Sequence, residues 1–128
     1  MGNIRDRTRL AESLWDWEFL NECWGGRIRP TDIDGVVERN GYFLFLEGKP
    51  ARGELTRGQE ILFKKLTENF KSASVLILFG EPGFPQEFQR IQNGCISNRQ
   101  KGDRERIKAI CKAWYNAVDS KAARDREF

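Results

Sequence analysis

Apolar positions along the chain change period several times, and each change marks a new element. From about Asp6 to Trp24, Leu10, Leu14, Trp17, Leu20 and Trp24 recur at steps of three and four, the spacing of one face of an amphipathic helix. Gly25-Gly26 follows and ends it, since glycine accepts the left-handed backbone that closes a helix. The period then drops to two. Runs of β-prone residues at 31–38 and 42–49 flank Asn40-Gly41, a dipeptide suited to a type I′ hairpin turn because both residues tolerate positive φ. A two-residue turn there fixes the register: Arg39 faces Tyr42, Val37 faces Leu44, Val36 faces Phe45, Asp34 faces Glu47 and Asp32 faces Lys49. Alternation then puts Asp32, Asp34 and Val36 on the face that carries Phe45, Glu47 and Lys49.

Beyond a Pro- and Gly-marked loop at 50–53, the stripe Leu55, Leu62, Phe63, Leu66 and Phe70 predicts a helix over 56–70. Gln59 sits one turn before Leu62 and Phe63, on the buried stripe. Ser74-Val75-Leu76-Ile77-Leu78-Phe79 is a near-continuous apolar run stopped by Gly80, which predicts a central strand covered on both faces. Residues 80–86, with Pro82, Gly83 and Pro85, predict a loop, and 87–96 a weakly alternating edge strand with Asn93-Gly94 as its turn. Ile107, Ile110, Cys111, Trp114 and Val118 predict a last helix over 103–120, followed by a charged, frayed tail at 121–128. This order of elements predicts a single domain over 1–128 of the α/β (α+β) class, a mixed central β-sheet flanked by helices.

Composition narrows the chemistry. With 128 residues, about two-thirds of the unfolded surface is buried on folding, so neither disulfides nor a structural metal is required. Nine Phe and four Trp exclude a disordered tail, and Trp15, Trp17, Trp24 and Trp114 read as core residues rather than base-stacking platforms. The chain has no histidine, which excludes Ser-His-Asp and Cys-His nucleophilic catalysis, histidine zinc sites and imidazole bases. Cys23, Cys95 and Cys111 are odd in number, widely spaced and form no C-x-x-C pair. They read as reduced thiols of a cytoplasmic protein, two of them in the core. The opening MGNIRDRTRL has no apolar segment and Val75–Phe79 is too short to span a bilayer, so neither a signal peptide nor a membrane partner is expected. The net charge of +3 is uneven: residues 1–50 hold 7 basic and 9 acidic side chains, residues 101–128 hold 8 and 5. The basic residues of the last helix are either a solvated face or phosphate ligands, with Arg104, Arg106 and Lys108 the candidates for nucleic-acid binding.

An Asp on the first strand, Glu-x-Lys closing the second and a Gln on the next helix together resemble the PD-(D/E)xK nuclease superfamily. The residues that carry the resemblance are Pro30-Thr31-Asp32-Ile33-Asp34, Glu47-Gly48-Lys49 and Thr56-Arg57-Gly58-Gln59. It covers roughly residues 6–80 and is nearest the small phage-type, Holliday-junction-resolvase-like and RecB-exonuclease-like members. It implies a restriction-endonuclease-like core and metal-dependent hydrolysis of DNA phosphodiesters. Asp34, Glu47 and the Gly48 carbonyl would hold Mg²⁺ or Mn²⁺, Lys49 would serve the attacking water, and Gln59 would support them. Hard cations prefer oxygen ligands and acidify bound water, a chemistry that needs no imidazole. Relatives complete the site with an acidic residue of the first helix; Glu12, Glu18 and Glu22 are the candidates, the last two nearer the hairpin. Asp32 is a further accessory candidate. Gly48 departs from the family, whose middle Glu-x-Lys residue is usually apolar.

Plainer readings compete with these. Asp34, Glu47 and Lys49 also fit an exposed salt-bridge ladder, and Gln59 a residue that simply caps or bridges a loop. The nuclease fold also suits a non-catalytic binding module for nucleic acid or a host protein. The expected partner is DNA, branched or with free ends, and so small a domain predicts a homodimer or larger complex.

Overall fold

The computed structural model describes residues 15–25 and 27–126, with side chains to residue 120. The chain divides into two units, residues 1–31 and 32–128. In the first, Glu18–Trp24 is a 3₁₀ helix closed by Gly25 at φ 78°. The predicted α-helix is therefore not formed here, and its stretch 6–14, Glu12 included, lies outside the described residues. Trp15-Asp16-Trp17-Glu18-Phe19 alternates apolar with polar, a second pattern that competes with the helical one. Trp15, Trp17 and Trp24 are exposed, against the expectation that they belong to a core; Trp15 and Trp17 stack on each other at 5.7 Å.

The second unit is a mixed α+β fold around a six-stranded sheet. β1 (Gly35–Arg39) and β2 (Tyr42–Lys49) form the hairpin in the predicted register, from Arg39 opposite Tyr42 to Gly35 opposite Leu46. Asn40 at φ 56° and Gly41 at φ 84° supply the turn. α1 (Arg57–Asn69) then crosses over to β3 (Ala73–Glu81), which lies parallel to β2. Thr56 caps α1: its hydroxyl accepts from the Gln59 N–H, and the Gln59 Oε1 accepts from the Thr56 N–H, both at 3.1 Å. Phe70 leaves the predicted stripe and is exposed, because the helix ends at Asn69 and residue 70 turns to extended backbone.

Residues 80–86 are no loop. β3 runs to Glu81, β4 (Phe84–Gln92) returns antiparallel to it, and only Pro82-Gly83 turn between them. Proline is tolerated at 85 because the register shifts between Phe79 and Gly80, beside it. β4 is not an edge strand either. After the Asn93-Gly94 turn, β5 (Cys95–Ile96) and β6 (Gln100–Lys101) both pair with its outer side. α2 (Arg104–Arg126) follows, its first turn capped by Asp103, whose Oδ1 accepts from the Arg106 N–H at 3.0 Å. Helical backbone continues past the predicted end at 120 to Arg126, and residues 127 and 128 lie outside the described residues.

Strand alternation divides the core between two faces. On one, Phe63 of α1 packs on Val75, Ile77, Phe79 and Ile91, with Phe45 beside them. On the other, Ile107 of α2 packs on Leu44, Leu76 and Phe88, with Leu46, Leu78 and Trp114 alongside. Among the described residues no helix is long and apolar enough to cross a membrane.

Candidate functional site

Glu47 is the one buried carboxylate among the described residues, 4% exposed. Its position in β2 directs the side chain to the α1 face, where the Gln59 Nε2 donates to Oε1 at 3.1 Å. Lys49 Nζ lies 3.8 Å from the same oxygen. Oε2 is buried without a hydrogen-bond partner. Burial pushes the Glu47 pKa up and the charge of Asp34 adds to the rise, while the Asp34 backbone, Lys49 and Gln59 pull it back down. Gln59 thus performs both roles open to it: one end of its amide caps α1, the other holds the acid.

Asp34 and Glu47 do not pair as ladder partners, nor do Asp32 and Lys49, because the β1–β2 ladder stops at Gly35 and Leu46. Asp34 is exposed and turns back onto β2, its Oδ2 accepting from the Gly48 N–H at 2.8 Å. In an extended strand the N–H and C=O of one residue point to the same neighbour. The Gly48 carbonyl therefore also faces the Asp34 side, past the end of β1. Glu47 is buried and the Lys49 side chain only 17% exposed, which removes the exposed salt-bridge ladder. Asp32 is exposed ahead of β1, and Glu18 and Glu22 are exposed on the 3₁₀ helix of the first unit. No group of three acidic or cysteine side chains suited to a metal ion occurs among the described residues.

At the same end of β2 and β3 lies a cavity of about 730 Å³ that reaches α2, bordered by Asp34, Gly48, Lys49, Leu78, Arg104, Ile107 and Lys108. The three basic candidates part here. Arg104 and Lys108, one turn apart on α2, border this cavity, whereas Arg106 lines a second groove of about 380 Å³ with Arg90 and Trp114. Lys108 pairs with Glu105 at 3.2 Å, and the Arg104 guanidinium lies 5.1 Å over the Phe84 ring.

Arg99 belongs to the site although nothing near it in the chain announces it. Its guanidinium sits 3.6 Å over the Phe79 ring and donates to the Ala51 and Gly53 carbonyls at 2.6 and 3.0 Å. It also pairs with Glu87 at 3.2 Å. One side chain from beyond β5 thereby fixes the loop that follows Lys49. The cysteines depart from expectation: all three are free, Cys23 and Cys95 are exposed, and only Cys111 reaches the core. Two cysteines stay outside because the 3₁₀ helix buries nothing and β5 is a two-residue strand. Burial pushes the Cys111 thiol up. Compared with protein-family models, curated proteins and solved structures, the chain matches none.

Proposed function

We propose that the protein is a metal-dependent nuclease that hydrolyses DNA phosphodiesters on a restriction-endonuclease-like core. One observation carries the reading: a buried carboxylate, Glu47, keeps one oxygen without a partner beside Asp34. An orphaned buried anion is costly unless something satisfies it. Asp34, Glu47 Oε2 and the Gly48 carbonyl form an all-oxygen set suited to a small divalent cation that keeps several waters. When bound, Mg²⁺ or Mn²⁺ acidifies a water and polarises the phosphate. Lys49, held low by Glu47, orients the attacking water and offsets phosphate charge. Gln59 keeps the Glu47 carboxylate in its rotamer, and Arg99 holds the loop behind Lys49. Three free thiols suit a reducing, cytoplasmic setting.

Labelled DNA incubated with Mn²⁺ or Mg²⁺ is expected to be cut by the wild type, with cleavage falling about 100-fold or more in EDTA, in Asp34→Ala and in Glu47→Ala. Cleavage that survives all three sinks the assignment. A non-catalytic binding module is the second reading, favoured by the presence of only two carboxylates here and by the Gly48 N–H already engaged on Asp34. DNA binding without metal-stimulated turnover would select it.

A further inference from the structure

The cavity on the α2 side borders the proposed metal site, sharing Asp34, Gly48 and Lys49 with it, while Glu47 and Gln59 do not line it. It opens at Gly48. Among the positions of this parity on β2 and β3, Leu44, Leu46, Leu76 and Leu78 pack leucine on the α2 side, and glycine follows on each strand, at 48 and 80. Nothing in the backbone asks for glycine at 48: its φ is not positive, and an added Cβ would meet only Asp34 Oδ2 at 3.8 Å, an ordinary contact. Gly80, on the neighbouring strand, is different, since a Cβ there would collide with the Phe84 carbonyl. The missing side chain at 48 thus leaves room rather than relieving strain. The resulting volume of about 730 Å³ lies within the ~300–1,000 Å³ typical of small-ligand sites.

Its borders are of two kinds. Leu78, Ile107, Pro82 and Pro85 are apolar, while Arg104 and Lys108 bring two cations one helical turn apart, away from the charges of Asp34, Lys49 and Glu81 on the strand side. Phe84, between the lining residues Gly83 and Pro85, is 59% exposed with Arg104 against its ring. We infer that this cavity receives one nucleotide of an unpaired strand, its base against Leu78 and Ile107 and its phosphate between Arg104 and Lys108. The inference rests on the nuclease reading and names its substrate class. A splayed base offers apolar faces to such walls and to an exposed ring, whereas a base stacked in duplex cannot enter. Arginine and lysine supply the phosphate contact. The Lys108–Glu105 pair, exposed and three residues apart, is exchanged at little cost.

The test is binding of a labelled single-stranded oligonucleotide and of the blunt duplex of the same sequence, followed by fluorescence anisotropy in EDTA. The wild type is expected to hold the single strand about tenfold or more tighter than the duplex. Arg104→Ala and Phe84→Ala each lower single-strand affinity about tenfold and leave duplex affinity nearly unchanged, and the cavity-filling Gly48→Leu also lowers single-strand affinity about tenfold. Equal affinity for both forms, no binding to either, or single-strand affinity unmoved in Arg104→Ala and Phe84→Ala overturns it. Those two positions are exposed, so the test keeps its force even if Gly48→Leu fails to fold. Cleavage with Mn²⁺ is scored separately. Strand-selective binding without cleavage keeps the cavity assignment and removes the nuclease; cleavage with strand-indifferent binding does the reverse.

Discussion

At the scale of single residues, the site is a compromise written into Glu47. Its carboxyl has a raised pKa in the folded chain, so between 4.5 and the raised value the folded form binds more protons than the unfolded form. Stability from this group therefore falls as pH rises through that window, and above it the penalty is complete. Glu47→Gln keeps an oxygen for Gln59 and removes the charge. In metal-free buffer at pH 8 its melting temperature should exceed that of wild type, and the gap should close as pH falls through the window. Added Mn²⁺ should raise the wild-type melting temperature and leave the variant unmoved. Gln59→Ala acts the other way. It strips a donor from a buried acid and an acceptor from the Thr56 N–H, a loss of about 1–3 kcal/mol by denaturant titration, with turnover lower by about 10–100-fold. Both residues were singled out in the sequence, the acid in Glu-x-Lys and the amide on the stripe one turn before Leu62 and Phe63. Arg99 was not, since its carbonyl partners are 46 and 48 residues away.

Elements divide by the same rule. The β1–β2 hairpin was readable from Arg39–Tyr42 to Gly35–Leu46 because Asn40-Gly41 dictates its own turn and the turn dictates register, whereas the pairs expected beyond it, Asp34–Glu47 and Asp32–Lys49, do not form. β4 was only half visible. Phe-Pro-Gln-Glu-Phe-Gln-Arg-Ile-Gln is mostly polar, and of its nine residues only Phe88 and Ile91 are buried; its place inside the sheet depends on β5 and β6, each two residues long. The first helix misled because its apolar residues satisfy a helical and an alternating pattern together. Where β6 meets α2, Gly102 is buried, donates to the Gln86 carbonyl at 2.9 Å, and has no room for a Cβ, which would lie 2.7 Å from the Phe88 ring. Gly102→Ala should therefore cost about 1–3 kcal/mol in urea unfolding, as the Phe88 ring or the start of α2 gives way.

For the whole molecule, the sequence conveyed the class, a mixed sheet with helices on both faces, and missed the division at residue 31 and the separation of the basic residues. Arg106 and Arg104 are two positions apart on one helix, an offset of about 200°, so a cluster in the sequence becomes two surfaces in the fold. Arg39 closes the hairpin end of the second unit onto α2 through Asp119 at 2.8 Å, a contact of 80 residues in sequence. The proposed catalytic residues show the opposite economy: Asp34, Glu47, Lys49 and Gln59 fall within one stretch of 26 residues. That compactness has a kinetic consequence. A hairpin closes in about 1–10 μs, whereas the parallel β2–β3 pairing must await α1. Asp34 and Gly48 can thus meet while Glu47 still faces solvent as an ordinary carboxylate, and the acid is trapped only when β3 and α1 close over it. Stopped-flow folding should register this order. Gly41→Ala, strained by about 1–2 kcal/mol at positive φ, should chiefly slow folding, whereas Glu47→Gln should chiefly change the unfolding rate.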